Sequence, residues 1–252
     1  MKNKNILNLH KKICLVTGCN GYIGKKIVKK YSDLGAIVIG TDIKVRKKNK
    51  GIKSFFKLDL NNKSNIDEFI KSLKKKYKKI DVLVNNASYV GTSNLDDKKA
   101  NKLFYNEDYE NLNLRNTIYF TNKLSSLLIK SKKASVINIC SIYSFLGYDY
   151  NLYRGTKMRA PIAYGVSKAG LRHYSKMLSN ILAPHIRVNC ISPGGIFRNQ
   201  PKLFVNRYLK KTPLSRMGTE DDVVNAIIFF SSDLSSYITG QNLVVDGGYS
   251  NS

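Results

Sequence analysis

Tyr164 and Lys168 stand four residues apart in the run Tyr164-Gly165-Val166-Ser167-Lys168, near the start of a stretch patterned as a helix. At that spacing a phenol and an ammonium share one helix face. A phenol of pKa about 10 is a poor acid–base group at neutral pH, and a neighbouring cation stabilises its phenolate. Taken alone, the pair reads equally well as an ordinary surface contact. It is accompanied by other polar groups at the ends of apolar runs. Ser141 follows Ser135-Val136-Ile137-Asn138-Ile139-Cys140, Asn85-Asn86-Ala87 closes another run, Asp59-Leu60 closes a third, and Asn113 lies in the helical stretch after Asn85.

A second group of residues has the chemistry of a dinucleotide cradle. Thr17-Gly18-Cys19-Asn20-Gly21-Tyr22-Ile23-Gly24 lies between an apolar strand-like run and a helical one. Gly18 permits a tight turn, Gly21 lets the backbone approach a pyrophosphate at a helix N-terminus, and Gly24 lets that helix pack on the sheet. Asp42 ends the next apolar run, 18 residues beyond Gly24. An acid there can accept hydrogen bonds from adenosine ribose hydroxyls and repels a 2′-phosphate. NAD(H) is therefore the expected cofactor. NADP(H) stays open, because Lys44, Arg46 and Lys47 follow and can meet a phosphate.

These groups need a scaffold that gathers strand ends. Strand-like runs fall at Ile13–Thr17, Ala36–Thr41, Ser54–Leu58, Asp81–Asn85, Ser135–Cys140, Arg187–Ile191 and Asn242–Val245, with helical stretches near 22–33, 64–78, 108–131, 162–182 and 220–232. Near-continuous apolar strands alternating with amphipathic helices predict an α/β fold, a doubly wound Rossmann-type parallel sheet of about seven strands with helices on both faces. Its ligand is expected at the carboxyl ends of the strands. The 252 residues suffice for one such domain, read as 1–252 throughout. Two stretches break the alternation: a polar loop rich in Tyr and Arg at about 144–161, and residues 193–216, with three of the five prolines, read as a substrate lid.

Composition excludes several classes. No apolar run is long enough to span a bilayer and no signal-peptide core follows the basic N-terminus, so no membrane partner and a cytoplasmic location are expected. Cys14, Cys19, Cys140 and Cys190 form no CxxC pair and His is scarce, so no metal site is expected. The formal net charge is +26, yet the lysines are spread over helix faces and termini. That spread fits a coding bias towards A and T better than a nucleic-acid surface, so no nucleic-acid partner is expected. Attraction of an anionic metabolite is the alternative.

Together, and in this order along nearly the whole chain, the motifs resemble those of the short-chain dehydrogenase/reductase family, in its single-domain branch of about this length. The resemblance implies an oxidoreductase. Tyr164 would exchange a proton with the substrate oxygen, which Ser141 would hold. Lys168 would bind the nicotinamide ribose and depress the Tyr164 pKa. Asn113 would fix a water in a proton relay through Lys168. For the cofactor, Gly18, Asn20, Gly21, Tyr22, Ile23 and Gly24 would cradle the pyrophosphate and Asp42 the ribose. Asp59 and Leu60 would flank the adenine, Asn86 and Ala87 would line the cleft, and Pro193, Gly194 and Ile196 would lie at the nicotinamide amide. Relatives commonly assemble through the 162–182 helix and the last strand, implying a homotetramer or homodimer.

Two departures stand out. Ser141 and Tyr164 are 23 residues apart, so the approach to the site is longer than usual in the family. A threonine often found shortly after the Pro-Gly is replaced by the run Gly195-Ile196-Phe197-Arg198-Asn199-Gln200-Pro201. The segments around Pro161, Asn189–Phe197 and Tyr237–Asn242 resemble oxidoreductases of bacterial surface-sugar and flagellin-glycan pathways. The implied substrate is a small molecule, a sugar, sugar phosphate or nucleotide sugar, with Arg154, Lys157, Arg159 and Arg198 suited to its anionic group; solvated loop charges are the plain alternative. The rival functions are an NADPH-dependent 3-ketoacyl-carrier-protein reductase and a catalytically silent cofactor-binding protein.

Overall fold

The computed structural model describes residues 7, 9–45, 50–90 and 107–251. Arg46 and Lys47 lie outside the described residues. Seven parallel strands form one sheet in the order β3-β2-β1-β4-β5-β6-β7. They are β1 (Ile13–Thr17), β2 (Ile37–Asp42), β3 (Ser54–Lys57), β4 (Val82–Asn85), β5 (Ala134–Ile139), β6 (Ile186–Pro193) and β7 (Asn242–Val245). The order reverses between β1 and β4, which opens a crevice at the carboxyl ends of those two strands.

Helices cover both faces. On one side α2 (Lys63–Lys76) and α4 (Asn116–Ile129) bury Ile66, Phe69, Leu73, Phe120, Leu124 and Leu128 against Leu15, Leu83 and Val136. On the other, α1 (Tyr22–Asp33) and α7 (Glu220–Ser231) bury Ile27, Tyr31, Val223, Ile227 and Phe230 against Cys14, Val38 and Val84. Successive strand residues point to opposite faces, and both faces are apolar here, hence the unbroken hydrophobic runs. The helix α5 (Ile162–Leu182) packs along β6 and carries Tyr164 and Lys168 in its first two turns. All four cysteines are buried and none is in a disulfide.

Three details differ from the sequence reading. The stretch read as one helix over 108–131 is interrupted: a short α3 (Glu107–Glu110) runs into a π-helical turn at Asn111–Arg115 before α4 begins. The lid region contains a helix, α6 (Lys202–Lys210), which buries Phe204 and Tyr208. The 144–161 segment, read as polar, builds a satellite core in which Leu152, Tyr153 and Ala160 pack with Phe204, Tyr208 and Tyr249. Tyr153 buries its ring and pairs its hydroxyl with that of Tyr143 at 2.9 Å, half-buried Tyr148 donates to the Pro161 carbonyl at 2.8 Å, and Tyr150 stays exposed. A tyrosine-rich stretch is polar by composition, but most of each ring is apolar surface.

Candidate active site

The carboxyl ends of the strands open into a cleft of about 730 Å³. At its floor, Gly18 adopts φ +63°, and a Cβ there would stand 2.8 Å from the Ala87 Cα. A Cβ on Gly24 would stand 2.1 Å from the Gly18 carbonyl oxygen, so only glycine lets α1 start this close to the turn. The turn is pinned to β4 by Asn86, whose Nδ2 donates to the carbonyls of Thr17 and Gly18 at 3.0 Å each. Thr17 Oγ1 in turn accepts the backbone N–H groups of Asn86 and Ala87, each at 3.0 Å.

Helix α1 begins at Tyr22 with no side-chain cap and no acid in its first turn. Its first N–H groups and dipole therefore favour an anion at the cleft, where Gly21, Tyr22 and Ile23 are lining residues. One wall carries Asp42, whose carboxylate accepts the backbone N–H groups of Asn20 and Lys44, both at 2.9 Å. Asp59 and Leu60 line the cleft after β3, and Asn20, Asn86 and Ala87 line it beside the turn. These residues fit a dinucleotide: a glycine cradle a Cβ would fill, an uncapped helix start, and a fixed carboxylate beyond it.

The far end holds the reactive groups. Ser141, Tyr164, Lys168, Pro193, Gly194 and Ile196 all line it. Burial pushes the Tyr164 phenol up to about 12, against a hydrogen bond from Ser141 that pulls it down. Lys168 is enclosed, and burial lowers its ammonium to about 8. Its Nζ donates to the Ile139 carbonyl at 2.8 Å, at the end of β5. Ser141 is presented by the turn that follows, where its Oγ accepts the Tyr143 N–H at 3.2 Å. Tyr208, on α6, fixes the backbone past β6: its hydroxyl accepts the Gly195 N–H at 2.7 Å.

Asn113 sits in the π-helical turn and does not line the cleft. Its Oδ1 accepts the Ser88 hydroxyl at 3.0 Å and the Tyr89 N–H at 2.7 Å. Its Nδ2 donates to the Tyr89 carbonyl at 2.9 Å and to Ser167 Oγ at 3.3 Å. All four hydrogen-bonding positions of the amide are thus in use. The side chain ties the segment after β4 to α5, so a relay water at this point would rest on a backbone group instead. Sequence reasoning passed over three supports: Ser167, whose hydroxyl donates to the Tyr164 carbonyl, Tyr109, whose ring meets that of Tyr164 edge to face with centroids 6.2 Å apart, and Tyr208.

The four cations read as substrate contacts do not gather. Arg154 and Lys157 are exposed and neither lines the cleft. Arg159 spends its guanidinium on the carbonyls of Thr156 and Met158, at 3.0 and 2.9 Å. Arg198 alone lines the cleft. Among the described residues no group of three or more His, Cys, Asp or Glu could hold a metal, and no helix is long and apolar enough to cross a membrane.

Comparison with known proteins agrees with this geometry. Residues 20–250 match the family model described as enoyl-(acyl carrier protein) reductase. A 3-oxoacyl-[acyl-carrier-protein] reductase of Buchnera aphidicola subsp. Schizaphis graminum is 35% identical, over 96% of this chain and 98% of that protein. The post-translational flagellin modification protein A of Campylobacter coli is 31% identical, over 96% and 99% of the two chains. Among solved structures, a short chain dehydrogenase from Leptospira borgpetersenii with bound NAD+ superposes with a TM-score of 0.88 at 34% identity, over 99% of this chain and 97% of that one. The chain belongs to the short-chain dehydrogenase/reductase family and is an NAD(P)-dependent oxidoreductase.

Proposed function

We propose that this protein carries out reversible hydride exchange between NAD(H) and a secondary alcohol or ketone of a sugar, sugar phosphate or nucleotide sugar. The observation that carries the reading is one cleft with Ser141, Tyr164 and Lys168 at one end and the Asp42 carboxylate at the other. When bound, the nicotinamide supplies the redox chemistry. Tyr164 gives a proton to the substrate oxygen or takes it back, Ser141 holds that oxygen, and Lys168 lends positive charge to the phenolate. Asp42 favours free ribose hydroxyls over a 2′-phosphate. The hydroxyls of Ser88, Tyr89 and Ser141 around the reacting end support a sugar derivative.

A second reading, reduction of a 3-oxoacyl thioester with NADPH, is favoured by the 35% identical relative and by the +26 charge, which suits an acidic carrier protein. A panel of sugar phosphates, nucleotide sugars and acetoacetyl thioesters, each followed at the NAD(P)H absorbance with either cofactor, separates the two. Turnover of a sugar derivative with NADH supports the first reading, and turnover of the thioester with NADPH alone replaces it with the second. Cofactor binding without turnover of any carbonyl would mark a silent binding protein.

A further inference from the structure

The mouth of the cleft is bridged by a contact between two segments far apart in the chain. The Arg198 guanidinium stacks on the Tyr22 ring, with Cζ 4.1 Å from the ring centroid. The same group is ion-paired to Glu220, the first residue of α7, at 3.2 Å. Tyr22 is the first residue of α1 and is 69% exposed, so this stack is not a by-product of core packing. Both residues line the cleft.

The backbone carrying Arg198 is held in place. Arg198 N–H donates to Gln200 Oε1 at 2.6 Å, and Gln200 Nε2 returns to the Ile196 carbonyl at 2.8 Å. Phe197 N–H donates to the Gly218 carbonyl and Gly218 N–H to the Gly195 carbonyl, both at 2.9 Å. A rigid turn thus sets a stacked guanidinium over the start of α1, the point where an uncapped helix favours an anion.

We propose that Arg198 is a cofactor-clamping residue: stacked on Tyr22 and partly balanced by Glu220, it binds the diphosphate of the dinucleotide and joins the segment after β6 to the glycine turn. A guanidinium has five N–H donors, so one edge can stay on Glu220 while another takes phosphate oxygens. This gives Arg198 to the cofactor in place of the substrate anion, and it rests on the reading that the cleft holds a dinucleotide. The positive end of the α1 dipole would add to the guanidinium's pull on the same diphosphate.

Equilibrium titrations of NADH, ADP-ribose and adenosine against the full chain test the proposal, with Arg198→Ala, Arg198→Lys and Glu220→Gln beside the unmodified protein. Arg198→Ala should weaken NADH and ADP-ribose by about tenfold or more, as expected on losing a forked charged contact, and leave adenosine within about twofold. Arg198→Lys should recover only part of the loss, because an ammonium neither forks nor stacks in the same way. Glu220→Gln should leave the diphosphate ligands bound as tightly or more tightly. Unchanged NADH and ADP-ribose affinity in Arg198→Ala overturns the proposal, most plainly if KM for an anionic substrate rises instead. Equal losses for adenosine and ADP-ribose overturn it too, since they report a loosened fold. Should the unmodified protein bind none of the three ligands, the dinucleotide reading itself fails.

Discussion

The Lys168 ammonium lies 5.7 Å from the centroid of the Tyr164 ring while it donates to the Ile139 carbonyl at 2.8 Å. One turn of α5 holds both groups, and the end of β5 fixes how far the cation can travel. Tyr164→Phe keeps the ring and removes only the hydroxyl. It should leave NADH affinity nearly unchanged and lower kcat by about 100-fold or more, as expected on losing general acid–base catalysis. Near-normal turnover in that variant would remove Tyr164 from the reaction.

The two displaced pKa values give a pH signature. In the free protein the Lys168 ammonium is charged below about 8 and the Tyr164 phenol is protonated below about 12. Carbonyl reduction needs the phenol protonated and is aided by the neighbouring cation. The ratio kcat/KM should therefore be level below about 8 and fall as pH rises through that value, because Lys168 then loses its charge. Lys168→Arg keeps a cation to far higher pH and should move the fall upward. A profile with the same upper limb in Lys168→Arg would assign that limb to another group.

Asp42 accepts two backbone N–H groups, so its carboxylate cannot swing away from the cleft without leaving both unpaired. NADH should bind at least about tenfold tighter than NADPH, about 1.4 kcal/mol. Asp42→Ala should narrow that gap by removing the repulsion. Equal affinities in the unmodified protein would refute the preference.

Gly24 is the tightest point of the cradle. Gly24→Ala places a methyl 2.1 Å from the Gly18 carbonyl oxygen, where only backbone can give way. Overpacking of this kind costs roughly 1–3 kcal/mol or more. The variant should show a clear drop in Tm and loss of NADH binding; an unchanged melting curve would show that α1 can back away from the turn.

Helix α5 leaves an apolar stripe in solvent: Val166 is 58% exposed, Met177 53% and Ile181 72%. We expect it to be covered by a second copy in a closed homo-oligomer. Light scattering should give a multiple of 28.5 kDa for the unmodified chain and a smaller species for Val166→Asp/Ile181→Asp. A monomer for the unmodified chain at working concentrations, where its positive charge is screened by salt, would refute the assembly.

Residues 13–42 and 162–168 announced themselves in the sequence because their chemistry is local. A glycine turn between a strand and a helix, an acid at a strand end and a Tyr/Lys pair one turn apart are each written in contiguous residues. The alternation of apolar runs and amphipathic helices likewise fixes a parallel α/β sheet, since each strand must bury both faces. What the sequence left open depends on contacts between distant segments. The saturation of Asn113 involves Ser88, Tyr89 and Ser167. The burial of Tyr153 depends on α6 and Tyr249. The separation of Arg198 from Arg154, Lys157 and Arg159 depends on Tyr22 and Glu220, which draw one guanidinium over the cleft while the others face solvent or their own loop. Side-chain type states what a residue can do, but burial, hydrogen-bond saturation and charge pairing decide which of those things it does, and these arise only when the chain has folded.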